Sequence, residues 1–250
     1  VSAGSLAATL GGKSNGRVDG FVVEGSTAGG HNAPPRGPLQ LNELGEPLYG
    51  ERDVVDLAKM RELGLPFWLA GGTGSPEGLA AAIEAGAVGI QVGTLFAYCE
   101  QSGIDPLIRK RVLDAVVAGE ATLRTDPRAS PTGYPFKIVT LPGDEGRAES
   151  RQRVCDLGYL RVAARTPDGR MVYRCSAEPV DTYVAKGGNI ADTEGRRCLC
   201  NGLTATIGQP QRRTPTGDEE IPLIASGHDL LSMTAFFASH PTYPAADAIA

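Results

Sequence analysis

Glu24 and His31 flank a run almost without side chains, VVEGSTAGGHN, in which Gly25, Gly29 and Gly30 separate a carboxylate from one of only three histidines. Two further glycine clusters follow, Gly71-Gly72-Thr73-Gly74-Ser75 and Gly93-Thr94. Imidazole titrates near neutrality and suits taking or returning a substrate proton. Glycine lets backbone N–H groups come close to an anion, and a helix start just after it favours negative charge. These residue types therefore suggest proton transfer beside a bound phosphate. Each has a plainer use: a lone loop histidine in solvent, a tight turn between strand and helix, an end-of-strand ion pair for Glu24. The Lys-Ser/Thr ending of a P-loop and the GxGxxG spacing are both missing, so a phosphate monoester fits better than a nucleoside triphosphate or a dinucleotide.

The elements that must position these groups are legible in the hydrophobic pattern. RVDGFVVEG reads as a short apolar strand over about 18–24. Residues 32–50 are rich in proline and glycine and read as a surface excursion. ERDVVDLAKMRELG, 51–64, has helical spacing and a glycine stop. LPFWLA is the next strand, SPEGLAAAIEAGA the next helix with Ser75 as N-cap, and VGIQV, 88–92, a third strand. LFAYCEQ begins a helix, and DPLIRKRVLDAVVA, 105–118, forms another. Strand and helix alternating three times implies parallel strands and an α/β fold, with strands apolar on both faces and covered by helices. VSAGSLAATL suggests a short helix before this series.

After Gly119 the pattern changes. Residues 1–119 read as one unit and 120–250 as an irregular or α-rich extension. That extension holds no second βαβ series, one strand and one helix within MVYRCSAEPVDTYVAKGG, and a weakly structured end at HPTYPAADAIA.

Composition bounds the rest. The chain has 250 residues, a net charge of −5 and 21% charged residues, an ordinary globular balance with no general pull toward nucleic acid or anionic membrane. No run is long and apolar enough to span a bilayer. Five scattered cysteines, Cys99, Cys155, Cys175, Cys198 and Cys200, do not form a secreted disulfide framework, so a reducing cytoplasm is expected. Cys198-x-Cys200 with Cys175 and Cys155 upstream is weak as a metal pattern, and reduced packing cysteines are expected instead, with no metal. The residues leave a homo-oligomer open.

Taken in order, VDGFVVEGSTAGGH, LPFWLAGGTGSPEGLAAAIEAGAVGIQVGT and LFAYCEQS resemble the nitronate monooxygenases, formerly 2-nitropropane dioxygenases, over roughly residues 18–102. Strings of the tail such as SPTGYPFK, CDLGYL and CLCNGL resemble a larger branch of that family. The resemblance implies an FMN-dependent (β/α)8 TIM barrel and makes His31 the catalytic residue. It places the flavin phosphate on Gly71, Gly72, Gly93 and Thr94, with Ala28, Gly29 and Gly30 beside flavin or substrate and Gln91 beneath them. It further implies a nitronate or nitroalkane substrate, oxidised with molecular oxygen to a carbonyl product and nitrite. Enoyl reductases and NADH:quinone reductases share that scaffold. A complete barrel of this kind has five more strands before Val18, so the three βα units are expected to be its sixth to eighth, the C-terminal part of a longer enzyme. A non-enzymatic binding module is the alternative from another class.

Overall fold

In a computed structural model the chain is described over residues 16–144, 146–147, 150–212 and 217–249. The helix expected within the first ten residues lies outside these. Strand β1 (Phe21–Glu24), helix α1 (Leu57–Glu62), strand β3 (Phe67–Ala70), helix α2 (Pro76–Glu84), strand β4 (Gly89–Gln91) and helix α3 (Thr94–Ala97) form the βα series, with the two-residue strand β2 (Gly30–His31) set between β1 and α1. Strands β1, β3 and β4 make one parallel sheet with β3 at its centre, so the series is α/β as the alternation implies. Ser75 caps α2 by accepting from the Gly78 N–H, and Pro76 opens it. Helix α4 (Pro106–Val117) starts likewise on Asp105, whose carboxylate accepts from the N–H groups of Leu107 and Ile108.

The helix expected over 51–64 is broken. A 3-10 turn at Glu51–Asp53 is followed by extended Val54, and α1 begins only at Leu57. Asp56 explains the break: its side chain accepts from the Ala58 and Lys59 N–H groups, and a capping aspartate starts a new helix. The expectation of a sheet covered on both faces also needs correction. Phe21, Val23, Phe67, Leu69 and Ile90 share one face and pack with Met60 of α1 and Ala82 of α2. The other face carries Val22, Glu24, Trp68, Ala70, Gly89 and Gln91, with Val22 50% and Trp68 36% exposed. Among the described residues, no helix lies over its Val22–Trp68 end.

The extension contains more strand than expected. Strands β5 (Thr122–Asp126) and β6 (Phe136–Thr140) pair antiparallel, and β6 also pairs with β2, aligning Gly30 with Lys137 and His31 with Phe136. Strands β7 (Val162–Arg165) and β8 (Met171–Arg174) form a separate hairpin. Helices α5 (Val180–Ala185), α6 (Leu199–Thr206), α7 (Asp229–Ser232) and α8 (Thr234–Ser239) follow, with the strand and helix read in MVYRCSAEPVDTYVAKGG appearing as β8 and α5. The periodicity of β6 is hidden because it is buried along four of its five residues and alternates nothing.

The largest hydrophobic cluster runs across Gly119. Leu95, Tyr98, Cys99 and the inner face of α4 (Val112, Leu113, Val116) meet Val139, Leu141, Ile224, Leu230, Phe237 and Tyr243. The end of the chain, expected to be weakly structured, is anchored there. Tyr243 is fully buried and donates from its hydroxyl to the Leu95 carbonyl at 2.6 Å, and Ala245–Ala248 forms a 3-10 turn.

Candidate functional site

The carboxyl ends of the three parallel strands set the floor of a cavity. Glu24, Ala70 and Gln91 are register partners across β1, β3 and β4, so their side chains stand in a row on one face. The loops beyond them hold the glycines, and a cavity of about 280 Å³ is lined by Glu24, Ala28, Gly29, Gly71, Gln91, Gly93 and Thr94 from this half of the chain. Of the eight residues expected to hold a cofactor, six thus share one cavity. Gly30 is placed instead in β2, and Gly72 turns toward Thr27.

Two glycines are required by close approach. Gly71 has φ +86°, and a Cβ there would lie 2.5 Å from the Ala28 nitrogen. A Cβ on Gly29 would lie 2.6 Å from the Gly227 nitrogen, so the extension packs backbone to backbone on the AGGH loop. Thr27 fastens the first two loops by donating from Oγ1 to the Gly71 carbonyl at 2.7 Å. Gly93 differs from these, because a Cβ there would meet nothing within 4 Å.

The far wall was not legible in the sequence. Ala225, Ser226, Gly227 and Asp229 complete the lining. The Gly227 N–H donates to Thr94 Oγ1 at 3.2 Å, the His228 N–H donates to the Thr27 carbonyl at 2.9 Å, and the Gly74 N–H donates to Asp229 Oδ1 at 3.3 Å. Asp229 is 6% exposed. Among the described residues that line the cavity, Glu24 and Asp229 are the charged ones, and both are acidic. Burial raises the Glu24 pKa above the ordinary carboxylate value. The small residues of ASGHD were the available signal for this wall, but nothing in that string says which loops it meets.

A buried lysine fixes this wall to the sheet below. Lys137 on β6 is 2% exposed, donates from Nζ to Thr125 Oγ1 at 2.6 Å, and lies 3.2 Å from His228 Nε2. Burial lowers its pKa, while the charge of Glu46 opposes the shift. His228 is lowered by burial and then by Lys137. A lysine inside the apolar string FKIVT was the sequence signal of an interior polar contact.

His31 does not line the cavity. Its backbone belongs to β2, and its Nε2 lies 2.7 Å from Ser130 Oγ and 3.2 Å from Thr132 Oγ1. Phe136 meets the ring edge-on at a centroid distance of 4.8 Å. Partial burial lowers its pKa below the ordinary 6.5, which favours the neutral imidazole. Its environment is thus built by residues 130–136 of the extension. The Arg196 guanidinium braces that loop, donating to the carbonyls of Arg128 and Ser130.

The nitronate monooxygenase family model matches residues 1–127 of the 250. The chain belongs to the nitronate monooxygenase family. It is 36% identical over 116 residues to a nitronate monooxygenase of Paraburkholderia phytofirmans, covering 46% of this chain and 29% of that protein. It is 31% identical over 123 residues to a Mycobacterium tuberculosis (3aS,4S,5R,7aS)-5-hydroxy-7a-methyl-1-oxo-octahydro-1H-indene-4-carboxyl-CoA dehydrogenase, covering 49% and 30% respectively. Each aligned stretch is thus under a third of the relative's length. Among solved structures, FabK from Thermotoga maritima superposes with a TM-score of 0.49 at 19% identity, over 100% of this chain and 57% of that one. Among the described residues no helix is long and apolar enough to cross a membrane.

Proposed function

We propose that this member of the family binds FMN at the cavity and takes part in oxidising alkyl nitronates with molecular oxygen, giving a carbonyl product and nitrite. The three βα units then belong to a TIM barrel, as its C-terminal part. The observation that carries the reading is the gathering of Ala28, Gly29, Gly71, Gln91, Gly93 and Thr94 around one cavity at the carboxyl ends of parallel strands, where α/β folds bind ligands.

The residues present fit a phosphate-bearing cofactor at the glycine loops. Gly71, Gly93 and Thr94 would hold the phosphate through backbone N–H groups, and Gly93 leaves open the space that a side chain would fill. Ala28 and Gly29 offer a flat, side-chain-poor edge for the ring system. Bound there, FMN would supply the electron acceptor and the route to oxygen. The chain's own contribution is to place the substrate carbon, keep competing reactions out, and handle one proton. His31, separated by Gly30 from the cavity-lining Ala28–Gly29 and oriented by Ser130 and Thr132, would accept the α-proton of a neutral nitroalkane that reaches out of the cavity toward β2. A preformed nitronate arrives without that proton and needs only the placement.

Asp229 opposes the cofactor at one point, since its carboxylate already accepts from the Gly74 N–H beside the phosphate loops. Asp229→Asn keeps an acceptor for Gly74 and removes the like charge. We expect it to tighten FMN binding about tenfold, roughly 1.4 kcal/mol, measured by quenching of flavin fluorescence. Unchanged affinity would place the phosphate away from Gly74.

The mycobacterial relative, by its name a dehydrogenase of a coenzyme A thioester, favours a second reading as a flavin-dependent reductase or dehydrogenase. The FMN-loaded chain is given ethyl nitronate in air, and nitrite and acetaldehyde are quantified. In parallel it is given NADH with a quinone or an enoyl thioester. Nitrite and aldehyde in equal amounts support the first reading. NADH oxidation without nitrite overturns it in favour of the second. Neither reaction by a chain that binds FMN leaves a binding module and overturns both.

A further inference from the structure

Four of the five cysteines, drawn from three separate stretches of the extension, come together. Cys175 and Cys198 are each 7% exposed and pack with Ala177, Leu160 and the half-buried Cys200 in a small cluster of their own. Cys155 is close enough that its charge acts on both Cys175 and Cys198. All are free thiols. Cys99 stands apart, in the main core, with its sulfur on the Phe96 carbonyl.

Cationic side chains stand at the edge of this buried cluster, with Arg151 and Cys198 lining one cavity. Arg161 donates from Nη2 to the Cys155 carbonyl at 2.8 Å, and Arg151 is itself paired with buried Glu220. Burial nevertheless keeps the protons on, pushing Cys175 up and Cys198 up to about 11. Apolar packing alone does not call for these arginines.

The hairpin above the cluster supplies an independent reason. Strands β7 and β8 pair only with each other, and Val162, Met171 and Tyr173 are between 60% and 67% exposed. An isolated two-stranded hairpin is marginal in water, and small units without a core are usually stapled. Cys155 precedes this hairpin, Cys175 closes it, and Cys198 and Cys200 lie at the start of α6 beneath. Its footing therefore includes the sulfur cluster beside the Arg174–Tyr183 contact.

We propose that Cys155, Cys175, Cys198 and Cys200 bind one thiophilic divalent ion, zinc, as a four-sulfur site that staples the β7–β8 hairpin to α6. Among the described residues no group of three or more His, Cys, Asp or Glu side chains is already arranged to hold an ion, so binding includes rotation of the thiols between staggered χ1 positions. Four sulfurs suit the tetrahedral preference of zinc, and capture releases up to four protons, so it strengthens as pH rises.

The test uses the whole chain. Zinc content is measured after purification, and the metal-stripped protein is titrated with zinc against a chromophoric chelator. The expected result is one zinc per chain at submicromolar affinity, kept in Cys99→Ser and weakened at least about tenfold in Cys200→Ser. Zinc should also protect Cys155 and Cys200 of the wild type from alkylation and slow amide exchange over residues 162–174, a readout that needs no variant. Absence of zinc uptake by the wild type, or uptake unaffected by Cys200→Ser and without protection of Cys155, overturns the site and leaves the thiols as packing.

Discussion

His31→Ala is expected to lower kcat/KM for a neutral nitroalkane by about 10²- to 10⁴-fold, the usual cost of losing a general base, with FMN affinity unchanged. The imidazole lies outside the cavity lining and is held by Ser130 and Thr132, so its removal spares the glycine loops. With preformed nitronate the loss should be much smaller, because that substrate has no α-proton to give. The pH profile carries a second signature. Burial lowers the His31 pKa from 6.5, so the basic form persists below that value. The acid limb of kcat/KM with neutral nitroalkane should therefore fall below pH 6.5 and disappear in the variant. Equal losses with both substrates would make His31 an orienting group. Its backbone pairing with Phe136 keeps β2 in place either way.

Gly93→Asp should keep the fold and weaken FMN binding on the order of 100-fold, about 2.7 kcal/mol. Gly93 has φ −111°, which any residue adopts, and its added Cβ meets nothing within 4 Å. The turn therefore survives, in contrast to Gly71, where a side chain would strike the Ala28 backbone. What changes is a carboxylate in the space where a phosphate would approach backbone donors. Circular dichroism and the melting temperature should match the wild type. A folded variant with undiminished FMN affinity would move the phosphate away from this loop.

The βα series could be read from the chain because its signals are local. Ser75-Pro76 and Asp105-Pro106 cap helices wherever they occur, and the glycine loops must follow strands that short. The break at Asp56 was also written locally, but the helical spacing of 51–64 concealed it. What the sequence could not disclose was long-range. Ser226, Gly227 and Asp229 reach the cavity across more than 130 residues from Thr94, through backbone contacts that leave no periodic trace. The same holds for His31, whose partners Ser130 and Thr132 lie about 100 residues away in a turn-rich string. The four cysteines were visible as residues, and only the fold shows that they meet.

The most direct measurement compares FMN with riboflavin on the unmodified chain, titrated under identical conditions by flavin fluorescence and calorimetry. The two ligands share the ring system and differ in the phosphate. If Gly71, Gly93 and Thr94 form a phosphate cradle, FMN should bind at least about tenfold more tightly, since each charge-assisted hydrogen bond contributes roughly 1.5–3 kcal/mol. Equal affinities, or no binding of either flavin, would contradict a phosphate cradle in this cavity.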